Sequence, residues 1–231
     1  MDVKSFIDSS YPLMERFKEV APGTYRHCLN VAQMVDPISK ELNLDTEALL
    51  VAATLHDIGK CNNPDYFIEN QLDDKNPHND LDPVISFQYI SRHVCDSVLK
   101  LVQLGLPMNI IQMVSEHHGD SIMKAIYQKA KEKYNGSTVE AHYRYKSGKP
   151  LTTESCVLMI CDVAESACRS LHNSDKLVDV KDIIERLVTG MTDDEQLDVM
   201  TIKDLRVIKK ILNKEIENMF HKRIDYDAEK E

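Results

Sequence analysis

The sequence lacks long apolar runs. No segment approaches the roughly 18–20 consecutive apolar residues that a helix needs to cross a bilayer. The first residues are charged and include serine, which is not the composition of a secretory signal. With 231 residues the chain can bury a sizeable core, and one main domain is expected. These features predict a soluble protein of the cytoplasm.

The sequence also lacks CxxC pairs, although it contains six cysteines. Several lie within helical patterns beside apolar neighbours, as reduced core thiols do. Disulfides are the alternative, but this arrangement is typical of a reducing compartment. The six positions are Cys28, Cys61, Cys95, Cys156, Cys161 and Cys168.

An excess of basic residues is missing as well. Lys and Arg number 28 against 38 Asp and Glu, which gives a formal net charge of −10. A general polynucleotide-binding surface normally shows basic patches, so no polynucleotide partner is expected. A small anionic substrate remains compatible with this charge if bound divalent cations make one pocket locally positive.

Alternation of apolar and polar residues, the pattern of a half-buried strand, does not extend over any useful length, whereas helical periods fill almost every segment. The sequence therefore predicts an all-α protein. The expected helices cover residues 4–19, a segment after Thr24 that carries His27, 45–58, a segment from Asp82 that carries His93, 107–118, a segment from Thr153 that carries Asp162, 179–190 and 201–220.

Capping and breaking residues set the expected helix ends. Asp36-Pro37 is expected to break the helix that carries His27, because proline at the first position of a new helix is favourable. Gly59 is placed to end the helix that carries His56. The expected N-caps are Thr24, Asp45, Asp82 and Thr152 or Thr153.

Two polar stretches without a helical period are expected to be loops. Residues 61–81 are rich in Asn, Asp and Pro, and residues 133–150 contain two glycines and a terminal proline. Loops of this length inside a compact domain are usually functional, so a lid that contacts a substrate is expected. Candidate contacts for a base or a phosphate on these loops are Tyr66, Phe67, Tyr143, Arg144, Tyr145 and Lys149.

The adjacent pair His56-Asp57 is the feature of the sequence that most directly indicates a metal site. A carboxylate can bridge two cations while the imidazole binds one of them, which suits hydrolytic phosphate chemistry. Asp162 lies in an apolar stretch, and a buried carboxylate needs a metal or another cation; Arg169 or a lysine is the alternative partner. The other histidines could each be satisfied core residues, or a pair at a helix end stabilised by the dipole. Together the set predicts a metal site formed by His27, His56, Asp57, His93, His117, His118 and Asp162.

Two further residues are candidates for substrate contact. Lys60 follows the metal pair directly, so its ammonium could reach a phosphate oxygen; a solvated lysine at a helix end is the alternative. His78 lies on the first loop and could face a substrate, although a loop histidine is more often solvated. The remaining histidines, His142, His172 and His221, fit no metal pattern and are expected to be surface or packing residues.

Several motifs make the chain resemble a known family. They include AlaProGlyThrTyr at 21–25, HisAspIleGlyLys at 56–60, AsnProHis at 76–78, GluHisHisGly at 116–119 and CysAspValAlaGluSerAla at 161–167. On these residues the chain resembles the HD-domain metal-dependent phosphohydrolases. Within them it is similar to the cytosolic catalytic domain of the bacterial seven-transmembrane-receptor HD group, which hydrolyses cyclic di-AMP.

The resemblance implies a fold, a metal centre and domain boundaries. The fold would be an HD-domain helical bundle with a buried dinuclear site for Mn or Fe. His27, His56, Asp57 and Asp162 would hold one metal, and Asp57, His93, His117 and His118 the other. The expected boundaries are a lead-in helix at 1–20, the HD domain at 21–227 and a tail at 228–231. The chain would be free-standing in the cytoplasm or the cytosolic domain of an inner-membrane protein, with its oligomeric state open.

The implied reaction is hydrolysis of cyclic di-AMP to linear 5′-pApA, by in-line attack of a hydroxide that bridges the two metals. The expected catalytic residues are Asp57, Lys60 and His78, of which His78 is only a candidate for the general acid. The expected substrate contacts are Lys60, His78, Tyr66, Arg144 and Tyr145.

Two alternatives remain at this point. One is hydrolysis of another cyclic dinucleotide, cyclic oligonucleotide or nucleotide; the cyclic di-GMP branch would carry GlyTyrPro where this chain has Gly119-Asp120-Ser121. The other is a non-catalytic nucleotide sensor, which would not need a bridged metal pair. The chain departs from the family at Cys28, Lys146 and Pro37, and none of these departures removes a metal ligand.

Overall fold

The computed structural model describes residues 2–71, 75–172 and 179–228, with side chains described up to Met219 except that of His172. Within these ranges the chain forms α-helices and short 3-10 helices with no β-strand, so the predicted all-α class is confirmed. The α-helices are α1 Pro12–Val20, α2 Pro22–Glu41, α3 Thr46–Leu55, α4 Pro83–Gln103, α5 Met108–Glu116, α6 Lys124–Lys133, α7 Thr153–His172, α8 Val180–Asp193 and α9 Ile202–Ala228. The 3-10 helices are Val3–Ile7, Ile58–Asn62, Pro64–Tyr66, Ile68–Asn70, Pro77–Asn79 and Glu140–Tyr143.

The helices enclose one main apolar core. Helix α2 packs on α3 and α7, and α3 packs on α5, so these four helices surround the same interior. Their core side chains include Val31, Leu49, Val114 and Leu158, which have no exposed surface. A smaller apolar cluster, here the satellite core, lies between α4, α6 and the segment that follows α6; its buried members are Phe87, Ile126, Ala130 and Tyr143.

Three expected N-caps are confirmed. The Asp45 carboxylate accepts a hydrogen bond from the backbone N–H of Ala48 at 3.0 Å. Asp82 accepts from Val84 at 2.9 Å, and the Thr152 hydroxyl accepts from the backbone N–H of Ser155 at 3.1 Å. These bonds satisfy donors that a helix start leaves unpaired, and they fix the first turns of α3, α4 and α7.

The expected break at Asp36-Pro37 is wrong, because α2 continues through Pro37 to Glu41. Proline here removes a single backbone donor close to the helix end. The last turn is held by an Asp36–Lys40 ion pair at 2.6 Å and by burial of Ile38 in the main core. Packing thus offsets the local cost of the proline.

The expected cap at Thr24 is also wrong. Helix α2 begins at Pro22, and the N-cap position belongs to Ala21, whose side chain has no capping oxygen. Thr24 is buried and donates its hydroxyl to Glu69 Oε1 at 3.0 Å. The threonine therefore connects α2 to the segment after the His-Asp pair.

Gly59 has a different role from the expected helix end. Helix α3 already ends at Leu55, and Gly59 lies in the following 3-10 helix. A Cβ added at Gly59 would lie 2.2 Å from the backbone oxygen of His93 and 2.6 Å from the backbone nitrogen of Ser97. Only glycine allows the His-Asp turn to approach α4 so closely.

The structure also tests the expectations for the first helix, the two loops and the cysteines. The expected helix over 4–19 is divided into a 3-10 helix and α1, because Pro12 begins a new helix after the turn at Asp8. The expected loop at 61–81 contains three complete short 3-10 helices in its described part, and 133–150 contains one. All six cysteines are free thiols, as expected.

No helix among the described residues is long and apolar enough to span a membrane.

Candidate metal centre

Five helices bring the seven predicted metal ligands together. His27 lies on α2, His93 on α4 and Asp162 on α7. The His-Asp pair follows the last residue of α3, and the His-His pair follows the last residue of α5. These seven residues, here the central cluster, form three overlapping groups whose ligand atoms lie within 4.8 Å of one another; their members are His27, His56, Asp57, His93, His117, His118 and Asp162.

The Asp57 carboxylate lies between two groups of imidazoles. Its Oδ1 is 3.2 Å from His93 Nε2 and 3.7 Å from His117 Nε2. Its Oδ2 is 3.4 Å from His56 Nε2 and 3.8 Å from His27 Nε2. Each oxygen thus faces a different pair of ring nitrogens, which is the arrangement that a bridging carboxylate requires.

Asp162, on α7, lies next to three imidazoles of the cluster. Its Oδ1 is 3.0 Å from His27 Nε2 and 3.7 Å from His56 Nε2, and its Oδ2 is 3.5 Å from His118 Nδ1. Arg169, the alternative partner for Asp162, instead donates to Glu165 at 3.1 Å. The buried carboxylate is therefore surrounded by imidazoles.

The outer nitrogens of three imidazoles are fixed by the backbone. His56 Nδ1 donates to the Ala53 carbonyl at 2.8 Å. His93 and His117 make the same bond to the carbonyls three residues earlier, at 2.5 and 2.6 Å. A carbonyl only accepts, so each Nδ1 carries the proton and each Nε2 of the neutral ring presents a lone pair to the centre.

Unsatisfied atoms show that the centre suits a cation. His56 Nε2 and Asp57 Oδ1 are buried and have no hydrogen-bond partner of good geometry among the described residues. His93 Nε2 and His117 Nε2 lie 3.3 Å apart, so two lone pairs face each other when both rings are neutral. Imidazole nitrogens and carboxylate oxygens are the ligands that divalent transition metals bind. The residues present therefore fit divalent metal binding.

The charge states agree with this chemistry. Burial would raise the pKa of Asp57, but the Lys60 ammonium and the neighbouring imidazoles hold it well below its usual range. Burial lowers the pKa of His118 to about 3, against the attraction of Asp162. Burial also lowers the pKa of His27, yet the hydrogen bonds to Asp162 and Glu165 outweigh it and raise the value to about 10. The cluster therefore combines ionised carboxylates with at least one neutral imidazole, and a proton on His27 Nε2 must leave when a metal binds there.

Lys60 is buried beside the cluster. Its Nζ lies 2.7 Å from Asp57 Oδ2 and 2.9 Å from Glu69 Oε1, and 4.9 Å above the centre of the Phe67 ring. Only 13% of its side chain is exposed, so the alternative of a solvated lysine is wrong. Burial alone would lower the pKa of Lys60, but the two carboxylates raise it well above its usual value, so the ammonium is charged.

A tight contact holds the segment that carries Glu69. A Cβ added at Gly23 would lie 1.7 Å from the backbone oxygen of Glu69, so only glycine fits there. The Asn70 side chain accepts from the Thr24 backbone N–H at 3.0 Å and donates to the Thr24 hydroxyl at 2.9 Å. This segment is therefore attached to the start of α2.

The predicted substrate contacts lie in different places. The Tyr145 ring is 4.4 Å from the ring of His118, next to the cluster. Tyr66 stacks on Tyr89 at 4.1 Å. Arg144 is bound by Asp194 at 2.7 Å and by a second carboxylate, so its guanidinium is already neutralised. All of these substrate contacts stay predictions.

His78 is buried rather than solvated. Its Nε2 donates to the Tyr66 carbonyl at 2.9 Å, and its Nδ1 is buried without a partner among the described residues. In this tautomer Nδ1 accepts, so proton donation from it would require the doubly protonated ring. Its catalytic role stays a prediction. His142 is exposed as expected, and the side chains of His172 and His221 lie outside the described residues.

Sequence reasoning did not identify three residues that support the cluster. Glu165 accepts from His27 Nδ1 at 2.6 Å and from the Asn30 side chain at 2.8 Å, and Glu69 pairs with Lys60. Glu165 follows Asp162 by three positions and therefore shares its helix face, which was a usable signal. No comparable spacing in the sequence indicates a role for Asn30 or Glu69.

Comparisons with known proteins identify the family of the chain. The HD domain family model matches residues 24–167. The cyclic-di-AMP phosphodiesterase PgpH of Bacillus subtilis (strain 168) is 34% identical over 223 residues, which are 94% of this chain and 30% of that protein. PgpH of Listeria monocytogenes serotype 1/2a (strain 10403S) is 33% identical over 96% of this chain and 31% of that protein. The chain thus spans about a third of the length of these relatives.

Solved structures give the same result. The crystal structure of the HD domain of L. monocytogenes PgpH matches with a TM-score of 0.85 and 32% identity, over 92% of this chain and 100% of that one. The same domain in complex with cyclic-di-AMP matches with the same TM-score and identity. With the family match covering more than half of its residues, the chain belongs to the HD domain family and is homologous to the PgpH phosphodiesterases.

Proposed function

We propose that the chain is a phosphodiesterase that uses two divalent metal ions, Mn or Fe, to hydrolyse cyclic di-AMP to linear 5′-pApA. The observation that carries the proposal is the Asp57 carboxylate, whose two oxygens face two different pairs of imidazoles. The names of the relatives and the nucleotide bound to the L. monocytogenes domain support the choice of substrate.

The division of the ligands between two ions is the one that the family resemblance implies, and the two pairs of imidazoles that face the Asp57 oxygens are compatible with it. His27, His56, Asp57 and Asp162 would hold one ion, and Asp57, His93, His117 and His118 the other. Divalent metals bound there would supply Lewis acidity toward a phosphoryl oxygen and would lower the pKa of water.

Exposure indicates the side from which a substrate would approach. Of the central cluster and Lys60, the two most exposed side chains are His118 at 19% and Lys60 at 13%. The other members of the cluster are between 0 and 6% exposed. A phosphate that reaches the cluster would therefore meet His118 and Lys60 first. Lys60 would donate to a non-bridging oxygen and stabilise the negative charge that develops there.

Aromatic side chains near the cluster are the proposed contacts for the bases. The Tyr145 ring lies next to the ring of His118, and Tyr89, on which Tyr66 stacks, lies one turn of α4 before His93. Their faces could hold purines, since stacking tolerates any base. His78 would accept a hydrogen bond through Nδ1. Arg144 stays a proposed contact, and its guanidinium is also bound by Asp194 and Glu140.

The choice between adenine and guanine must come from hydrogen bonds to the base edges. A site that leaves a buried donor or acceptor unpaired rejects the wrong base by about 1–3 kcal/mol. We therefore expect kcat/KM for cyclic di-AMP to exceed that for cyclic di-GMP at least about tenfold, on the order of 1.4 kcal/mol.

The test is incubation of the Mn-loaded protein with a panel of cyclic dinucleotides, with products identified by chromatography. Conversion of cyclic di-AMP to 5′-pApA is the expected result. Equal rates on all members, or a preference for guanine, would contradict the substrate assignment and leave the phosphodiesterase chemistry intact. Binding of cyclic di-AMP without any product would show a sensor instead of an enzyme.

A cytoplasmic location is part of the same proposal. All six cysteines are free, four of them buried, which matches a reducing compartment. The boundaries at 21 and 227 also stay proposals, since the family match covers residues 24–167.

A further inference from the structure

One imidazole of the central cluster is supported differently from three of the others. His56, His93 and His117 donate their outer Nδ1 protons to neutral backbone carbonyls of their own helices. His27 Nδ1 instead lies 2.6 Å from Glu165 Oε2, a carboxylate 138 residues away in the sequence. The two halves of the cluster therefore differ in the charge behind their imidazoles.

Helix α7 contacts both nitrogens of the His27 ring. Asp162 Oδ1 is 3.0 Å from Nε2, and Glu165, one helical turn later, is hydrogen-bonded to Nδ1. The ring is thus fixed from both sides by one rigid element. This arrangement sets the orientation of Nε2 toward the centre before any metal binds.

The Glu165 carboxylate is itself fixed at both oxygens. The residue is 3% exposed, the Asn30 side chain donates to Oε1 at 2.8 Å, and Arg169 Nε donates to Oε2 at 3.1 Å. The Arg169 guanidinium therefore forms an ion pair with this buried carboxylate. An ionised, immobile carboxylate behind an imidazole strengthens its other nitrogen as a ligand more than a neutral carbonyl does.

We infer that Glu165 is a positioning residue that makes the two cation positions unequal. The position formed by His27, His56, Asp57 and Asp162 is the tighter one, and the position that uses His93, His117 and His118 is the weaker. This inference rests on the two-metal part of the proposed function. A purely structural ion pair between Glu165 and Arg169 is the competing explanation, and it predicts no difference between the two positions.

The experiment measures Mn²⁺ binding alone, by titration against a competing chelator and without nucleotide. The wild-type chain should bind two ions in two separate steps. Glu165→Gln keeps the size and an acceptor oxygen but removes the charge, and it should weaken the tighter step about 10–100-fold while leaving the weaker step unchanged. His118→Ala should remove only the weaker step, which assigns the steps to their ligands.

The matched control is Glu217→Gln, which removes the same charge from an exposed position on α9. Both steps should stay as in the wild type. If Glu165→Gln loses the helical circular dichroism of the wild type, Asn30→Ala provides the test. It releases one oxygen of Glu165 without touching His27, and it should weaken the same step by a smaller factor.

Three results would overturn the inference: an equal weakening of both steps by Glu165→Gln, no change in either step, or a single binding step in the wild type. Because the readout is Mn²⁺ binding, it is separate from the test of the proposed function. Two unequal steps without hydrolysis of cyclic di-AMP would reject the activity and keep the role of Glu165. Hydrolysis with two steps that Glu165→Gln leaves unchanged would do the reverse.

Discussion

The central cluster and the satellite core differ in where their charged side chains lie. In the central cluster two carboxylates and five imidazoles are packed together, and His56 Nε2 and Asp57 Oδ1 have no partner of good geometry among the described residues. The satellite core has an apolar interior, and its charges lie at the rim. There Asp82 accepts from Lys133 at 2.9 Å and from Tyr134 at 2.7 Å.

The difference separates residues that serve function from residues that serve stability. A buried carboxylate without a cation costs several kcal/mol, so the central cluster is a poor way to stabilise a bundle. The rim of the satellite core follows the ordinary rule that charges stay in water with a partner. Tyr145 lies where the two regions meet, since its ring is 4.4 Å from His118 and 6.3 Å from Phe87.

The largest expected effect is the loss of Asp57. Asp57→Ala should abolish metal binding and turnover and leave the helical fold largely intact, because both cation positions share this carboxylate. Elemental analysis of the purified protein and far-ultraviolet circular dichroism measure the two effects. The matched variant Asp194→Ala removes a carboxylate that binds Arg144 and should leave the metal content unchanged. One ion or none in active wild-type protein would contradict the two-metal proposal.

The next largest effect is expected at Lys60, which is compared with Lys133. Each lysine lies 2.9 Å from a carboxylate, Lys60 beside the central cluster and Lys133 at the rim of the satellite core. Lys60→Ala should lower kcat by roughly 10–1000-fold at unchanged metal content, because a buried ammonium next to the substrate stabilises developing charge. Lys133→Ala should leave kcat unchanged, since that side chain is 50% exposed. Steady-state kinetics with cyclic di-AMP measures both variants, and an unchanged kcat for Lys60→Ala would remove this lysine from the mechanism.

A smaller effect compares two glycines. Gly59→Ala would place a Cβ 2.2 Å from the His93 backbone oxygen, so it should lower the free energy of unfolding by about 1–3 kcal/mol. Gly190 lies inside α8 with nothing within 4 Å of an added Cβ. Gly190→Ala should therefore raise the free energy of unfolding by about 0.5–1 kcal/mol. Urea unfolding of both variants is the measurement, and an unchanged or higher free energy of unfolding for Gly59→Ala would show that the close approach at Gly59 is not required.

The smallest effect concerns the pH dependence of the rim. Hydrogen bonds from Lys133 and Tyr134 lower the pKa of Asp82 from its ordinary 3.8 to about 2. Because the pKa of Asp82 is lower in the folded state than in the unfolded chain, the ionised carboxylate stabilises the fold at pH values above about 4. This contribution disappears as the pH falls from about 4 toward about 2.

Asp82→Asn is the variant that tests this dependence, because asparagine keeps the helix cap and loses only the charge. Its stability should fall below that of the wild type at pH 6 and approach it near pH 3 in urea unfolding. A difference that does not depend on pH would assign the effect to the cap instead of the ion pair.

Much of the site could be predicted because its ligands are defined by residue type. Imidazoles and carboxylates on otherwise apolar helix faces suggest a metal site, and the adjacent pairs at 56–57 and 117–118 supply four of the seven candidate ligands. Caps such as Asp45 and Asp82 were also predictable, since a side-chain oxygen two or three residues before an unpaired N–H is a local feature. The expectations at Pro37 and Thr24 were wrong because burial of Ile38 and the contacts of Glu69 outweigh the local preferences.

The sequence by itself determined the helical class, most helix starts and which residues are candidate metal ligands. Each of these depends on neighbouring residues or on the functional group of one side chain. Only the tertiary structure decided that Asp57 faces two pairs of imidazoles, that Lys60 is held by Glu69 and that Glu165 lies behind His27. The physical reason is that these contacts join helices far apart in the chain, and their distances depend on how whole helices pack.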